Sequence, residues 1–232
     1  MDIRIETSMQ FPMATLALTQ GESCLIARGS MIFRSGGVDL YAKLNSNASG
    51  VGKLLGAVAK SVVSGESMFI SEVVCNSPQG EIAIAPSVPG TIVQLDIGAK
   101  NYCLNDTAFL AMDSSVNYTM ERQSLGKAIM ARQGGLYVMK TNGVGRLLVN
   151  AFGSIKQINL QNAQGFVIDN GHVVAWENTL SYDIQLQGGM FGSIGTGEGV
   201  VNSFSGSGSL YIQTLNLESF ASQLNPFISK SQ

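Results

Sequence analysis

Apolar and polar residues alternate along much of the chain. Phe109 and Ala111, then Val116 and Tyr118, show the period of strands with one face turned inward. Turn signals such as Ser35-Gly36-Gly37, Asp113-Ser114-Ser115 and Asn170-Gly171 separate the apolar runs. The pattern predicts an all-β chain of short strands. Three stretches break the rhythm. Residues 51–63 place Val51, Leu54, Leu55, Val58 and Val62 on one helical face, with Lys53 and Lys60 away from it, which predicts an amphipathic helix inserted in a loop. A weaker helical stretch surrounds Leu125 and Ile129. Near the end, Asn216 caps a helix carrying Leu217, Phe220, Ala221 and Leu224, and Pro226 stops it; this helix is expected to pack on the β body.

The chain also resembles itself. Leu104 to Tyr118 aligns without a gap on Ile168 to Tyr182, and Ile26 to Leu40 takes the same register, with Met31, Phe33, Val38 and Leu40 in the apolar slots. Just upstream, Gly90-Thr91-Ile92-Val93-Gln94-Leu95 repeats as Gly153-Ser154-Ile155-Lys156-Gln157-Ile158. The corresponding first half of the third copy is read in Gly208-Ser209-Leu210-Tyr211. That gives one compact body of three β repeats, at about 65–120, at 134–188, and split between 1–45 and 190–215, followed by a C-terminal helix over 216–228. A copy divided between the two ends predicts that the first and last strands meet, closing a pseudo-threefold arrangement with few open sheet edges.

Composition narrows the class. Only 13% of the 232 residues are charged, against about 25% in an average soluble domain, and 27 are Gly against 5 Pro. Both point to a packed β body joined by tight turns rather than to disorder. No run approaches the roughly 18 apolar residues of a spanning helix. Met1-Asp2-Ile3-Arg4-Ile5-Glu6 alternates like a strand and lacks the regions of a signal peptide, so a cytoplasmic address is expected. Cys24, Cys75 and Cys103 are widely spaced, without a Cys-x-x-Cys pair, and read as buried reduced thiols. The net charge of −2 is scattered, which disfavours a nucleic-acid partner.

The catalytic inventory is thin. His172 is the single histidine, so a multi-His metal site is excluded and a Ser-His-Asp arrangement would depend on this residue alone. The run Gly192 to Gly199 has the glycines of a phosphate cradle but no Lys-Ser/Thr pair, and Val200 to Phe204 directly after it alternates as a strand. Glu198 has no partner carboxylate for acid/base work. Trp176 either fills the core or stacks on a ligand. His172, Trp176 and Glu198 therefore stand only as ligand candidates. No cofactor is expected.

Several stretches together resemble one family. They are Gly65-Glu66-Ser67-Met68-Phe69, Gly165 to Ala175, Gly197-Glu198-Gly199-Val200-Val201, and Gly208-Ser209-Leu210-Tyr211-Ile212-Gln213-Thr214. In order and spacing they are similar to the prokaryotic proteins of the family named for altered inheritance of mitochondria, number twenty-four. Where that family often has Gly-Pro-Gly before its last strand, this chain has Gly206-Ser207-Gly208. The resemblance implies a fold like that of the tryptophan RNA-binding attenuation protein (TRAP), with double-stranded β-helix units that are often oligomeric. It supplies no catalytic residues. The expectation is a non-enzymatic scaffold or interaction protein that self-associates, its candidate contact residues being Val51, Leu54, Leu55, Val58 and Val62. The alternatives are a small-ligand or nucleic-acid binding module, for which Arg122, Lys127 and Arg132 form the sole basic cluster, and a membrane-surface protein using the 51–63 helix.

Overall fold

The computed structural model describes residues 1–43, 70–105, 107–122, 137–186 and 199–228. The chain is mostly β. From the N-terminus come β1 (Asp2–Ile5), β2 (Ala14–Thr19), β3 (Ser23–Ala27), β4 (Met31–Arg34), β5 (Val38–Lys43), β6 (Ile70–Cys75) and β7 (Gln79–Ile84). Next are β8 (Gly90–Ile97), β9 (Tyr102–Asn105), β10 (Phe109–Asp113), β11 (Val116–Arg122), β12 (Tyr137–Gly143) and β13 (Gly145–Phe152). The last third holds β14 (Ile155–Asp169), a 3-10 turn over Asn170–His172, β15 (Val173–Glu177), β16 (Ser181–Leu186), β17 (Val200–Gln213) and the helix α1 (Leu217–Leu224). The expected cap is in place, with the Asn216 side chain accepting from Ser219 N–H at 3.1 Å. The helices expected over 51–63 and around Leu125 and Ile129 lie outside the described residues, in the connections between β5 and β6 and between β11 and β12.

Three sheets carry the strands. A four-stranded sheet runs β1-β2-β7-β4, a six-stranded sheet β5-β6-β3-β10-β13-β8, and a seven-stranded sheet β11-β12-β9-β15-β17-β14, with β16 also on β17. Apolar side chains pack in three clusters, two of them between sheets and the third within the fold of the seven-stranded sheet. Leu16, Ile82 and Ile84 meet Ile26, Val73 and Leu148 in the first. Leu25, Leu147 and Val149 meet Leu104, Met139 and Ala175 in the second. Trp176, Leu210, Phe204 and Leu180 form the third. Each cluster is the inner face of antiparallel strands whose alternate side chains point away.

Corresponding ladders lie side by side along the chain. β5 pairs with β6, β11 with β12 and β16 with β17. β4 pairs with β7, β10 with β13 and β15 with β17. Each of these last three ladders has one β-bulge, between Met31 and Phe33, between Phe109 and Ala111, and between Val173 and Ala175. Close approaches match as well. A Cβ added at Gly80 would stand 2.4 Å from Val38 Cγ2, at Gly145 2.8 Å from Val116 Cγ2, and at Gly208 3.1 Å from Leu180 Cγ. Glycine at these three sites lets the apolar residue opening the next hairpin lie on the backbone.

The ladders differ from the expected closure. β1 pairs with β2, whereas β17 pairs with β14, β15 and β16, so the first and last strands share no ladder. β17 is 14 residues long and finds partners on both sides within the last third, which leaves no edge for β1. Gly208 to Tyr211 accordingly faces Leu160 to Gln157 of β14 rather than any strand near the N-terminus.

Candidate interaction edges

Polar side chains at the ends of β4, β10 and β15 serve the fold. Ser35 Oγ accepts from Glu81 N–H at 2.9 Å, Asp113 Oδ2 from Arg146 N–H at 2.7 Å, and Glu177 Oε1 from Ser209 N–H at 3.0 Å. Each closes one backbone donor beyond the ladder that contains the bulge. Arg146 grips Asp113 through Nε and Nη2, both at 2.9 Å, in a fork-like pair, and a second Nη2 bond at 3.0 Å reaches Met1 O. The Asp113 carboxylate raises the pKa of Arg146. Burial pushes the Glu177 carboxyl up, yet hydrogen bonds from Lys100 Nζ (2.6 Å) and Ser209 more than offset it and hold it below its ordinary value. Carboxylates so engaged are acceptors in a scaffold, with no free base among them.

The ligand candidates divide. His172 sits in the 3-10 turn, where its Nδ1 donates to Gln213 O at 2.8 Å, while Gln213 Nε2 donates to Gly171 O and its Oε1 accepts from Phe152 N–H, both at 2.8 Å. The imidazole thus ties the turn to the end of β17. Trp176 is fully buried, its ring 4.8 Å from that of Tyr182 and 5.5 Å from that of Phe204, both edge to face. It is core. Glu198, Val51, Leu54, Leu55, Val58, Val62, Lys127 and Arg132 lie outside the described residues. Among the described residues, no group of three His, Cys, Asp or Glu side chains could hold a metal, and no helix is long and apolar enough to cross a membrane. A groove of about 660 Å³ lies between β2 and the start of β7. There the N-terminal ammonium and Thr19 N–H hold Glu22, whose pKa falls to about 2.

What the polar inventory leaves over is apolar. In β4, Met31, Ile32 and Phe33 are 42, 52 and 43% exposed. Near the end of β14, Phe166 and Val167 are 39 and 52% exposed. Among the described residues, β4 is the last strand of its sheet, bonded to β7 alone, and the Phe166–Asp169 segment is bonded to β17 alone. Two unpaired strand edges lined with apolar side chains are templates for another strand. The C-terminal helix adds a smaller apolar face: Leu217, Phe220 and Leu224 are each more than 40% exposed, and Phe220 meets the body through an edge-to-face contact with Phe152 at 5.4 Å.

Sequence reasoning did not single out these edges. A signal was present, because Met31-Ile32-Phe33 and Phe166-Val167-Ile168 are unbroken apolar runs rather than alternating ones, and so are Phe109 to Met112 and Val173 to Trp176. Unbroken runs mark strands covered on both faces. The latter two are covered; the former two are not.

Comparison with known proteins places the chain among prokaryotic relatives. The model of the family described as mitochondrial biogenesis AIM24 matches residues 3–215. An uncharacterised protein of Streptococcus pyogenes serotype M6 is 52% identical over 231 residues, covering all of this chain and 92% of that one. The crystal structure of a Streptococcus pyogenes protein, 50% identical, superposes with a TM-score of 0.84 over 98% of this chain and 99% of that one.

Proposed function

The chain belongs to the AIM24 family, and on that premise we propose that it is a non-enzymatic scaffold protein that works by self-association in the cytoplasm. In this reading it is built from three copies of one six-strand, TRAP-like unit over about 14–84, 90–152 and 155–213, with β14 and β17 each running through two strand positions of the last copy. The matched bulges at Met31/Phe33, Phe109/Ala111 and Val173/Ala175 support the three copies. So do the backbone bonds to Ser35, Asp113 and Glu177.

The observation that carries the function is the contrast between a polar inventory spent on holding hairpins and apolar strand edges that face outward. Light scattering across a concentration series tests it, together with an unbiased turnover screen. A mass above that of one chain is expected, and no turnover. A strictly monomeric chain, or turnover abolished by His172→Ala, would overturn the reading.

A further inference from the structure

We propose that the free edge of β4 and the free edge of residues 166–169 are the two halves of one junction, formed between two copies of this chain in an antiparallel register that sets Phe33 opposite Ile168, Arg34 opposite Val167, and Ser35 opposite Phe166. The proposal rests on the self-associating reading above and specifies its contact.

The register comes from two junctions already made inside the chain. β3 meets β10 with Ile26 opposite Ala111, Leu25 opposite Met112 and Cys24 opposite Asp113. β9 meets β15 with Leu104 opposite Ala175, Cys103 opposite Trp176 and Tyr102 opposite Glu177. In the alignment of the chain with itself, Ile26, Leu104 and Ile168 are equivalent, and so are Phe33, Ala111 and Ala175. The junction therefore steps from one unit to the next: the Ile26 strand takes the second unit's β10, and the Leu104 strand takes the third unit's β15. Among the described residues the Ile168 strand is left without an acceptor, and β4, the first unit's equivalent of β10 and β15, is left without a donor.

Chemistry agrees with geometry. Strands used in the internal junctions are almost wholly buried: Phe109 to Met112 lie between 1 and 3% exposed, and Val173 to Trp176 between 0 and 4%. The two unused strands have the same apolar character and stand open to water. Among the described residues no ladder joins them within one chain, so a second copy is the occupant with the matching pattern of donors, acceptors and side chains. Because the two edges differ, the contact is heterologous, and successive copies build a ring if the rotation closes and a filament if it does not.

Cysteine trapping tests the register. Cys24, Cys75 and Cys103 are free and buried, so the native background of cross-linking is low. Arg34→Cys and Val167→Cys chains are made separately, checked for folding by Trp176 fluorescence, mixed and mildly oxidised. A reducible dimer band is expected from the mixture and from neither chain alone. Val144→Cys, at an exposed site elsewhere, should give none when mixed with Val167→Cys. In the double variant at low concentration, a cross-link that leaves the mass of a single chain would overturn the proposal in favour of closure within the chain. Phe33→Lys and Val167→Lys, both at exposed sites, should each shift the assembly to single-chain mass while leaving the fluorescence unchanged. Should the assembly persist in both variants and the mixture not cross-link, this junction falls while self-association stands. A wild-type chain of single-chain mass at every concentration removes both.

Discussion

Phe109 and Met31 open matching strands, each just before the bulge of its ladder, yet one is 3% exposed and the other 42%. β10 lies inside a sheet with β13 on one side and β3 on the other; among the described residues β4 has β7 alone. Similar residues in a similar local ladder thus come to opposite fates. The teaching is that burial here is decided by whether a second strand pairs with the free edge, and not by the strand's own sequence.

The sharpest way to break that comparison is a pair of truncations. Phe109→Ala should cost about 3–5 kcal/mol, the usual range for emptying a buried aromatic site, whereas Met31→Ala should stay within about 0.5 kcal/mol in the dissociated chain, as exposed substitutions do. Urea denaturation followed by Trp176 fluorescence reads both, and equal losses would erase the distinction. Next in size are the glycine contacts. Gly80→Ala forces a methyl against Val38 and should cost about 1–3 kcal/mol through overpacking, and Gly145→Ala, which meets Val116 at a positive φ that L residues rarely adopt, should cost at least as much; Gly36→Ala, with nothing within 4 Å of the added atom, should lie close to wild type in the same titration.

The polar locks come third. Asp113→Ala leaves the Arg146 guanidinium and backbone N–H without their acceptor and should cost about 1–3 kcal/mol, with Ser35→Ala, which loses a single neutral acceptor at the half-exposed end, nearer 1 kcal/mol. Their ratio in thermal melts measures how much more tightly the inner ladder is tied than the outer one.

A pH series reads the burial of two thiols. Burial, reinforced by the charge of Asp113, pushes the Cys24 thiol up to about 12, and burial pushes Cys103 up to about 11, both from an ordinary value of 9.0. Folded values raised above the unfolded one contribute stability that is fully present below pH 9 and lost as pH rises through 11 to 12. The urea midpoint should therefore decline above pH 9, and Cys24→Ala should flatten part of that decline. A wild-type midpoint that rises over this window would contradict the burial of both thiols.

Much of this comparison was legible in the sequence. The alternation around Phe109 and Val116 and the Asn216 cap are local signals, and local signals survive translation into structure. The pairing of one strand edge with another is not local. Nothing in the alternation of β3 says that its partner is β10 rather than β4, because both carry apolar runs of the same kind. The expected meeting of the first and last strands failed for a related reason: Gly208-Ser209-Leu210-Tyr211 resembles Gly90 and its successors in composition, whereas its ladder partners are β14 and β15, both from the last third of the chain. Trp176 and His172 were ambiguous in sequence because their role depends on Tyr182, Phe204 and Gln213, residues distant along the chain that arrive only with the fold.

β17 also sets the order of events when the chain is made. It pairs with β14, β15 and β16 at once, so those three strands leave the ribosome with their shared partner still unsynthesised, while β2 to β7 can already close on one another. Apolar strands that wait for an unsynthesised partner stay exposed meanwhile. A pause in translation before Val200 would therefore hold the β17-facing edges of β14, β15 and β16 open together.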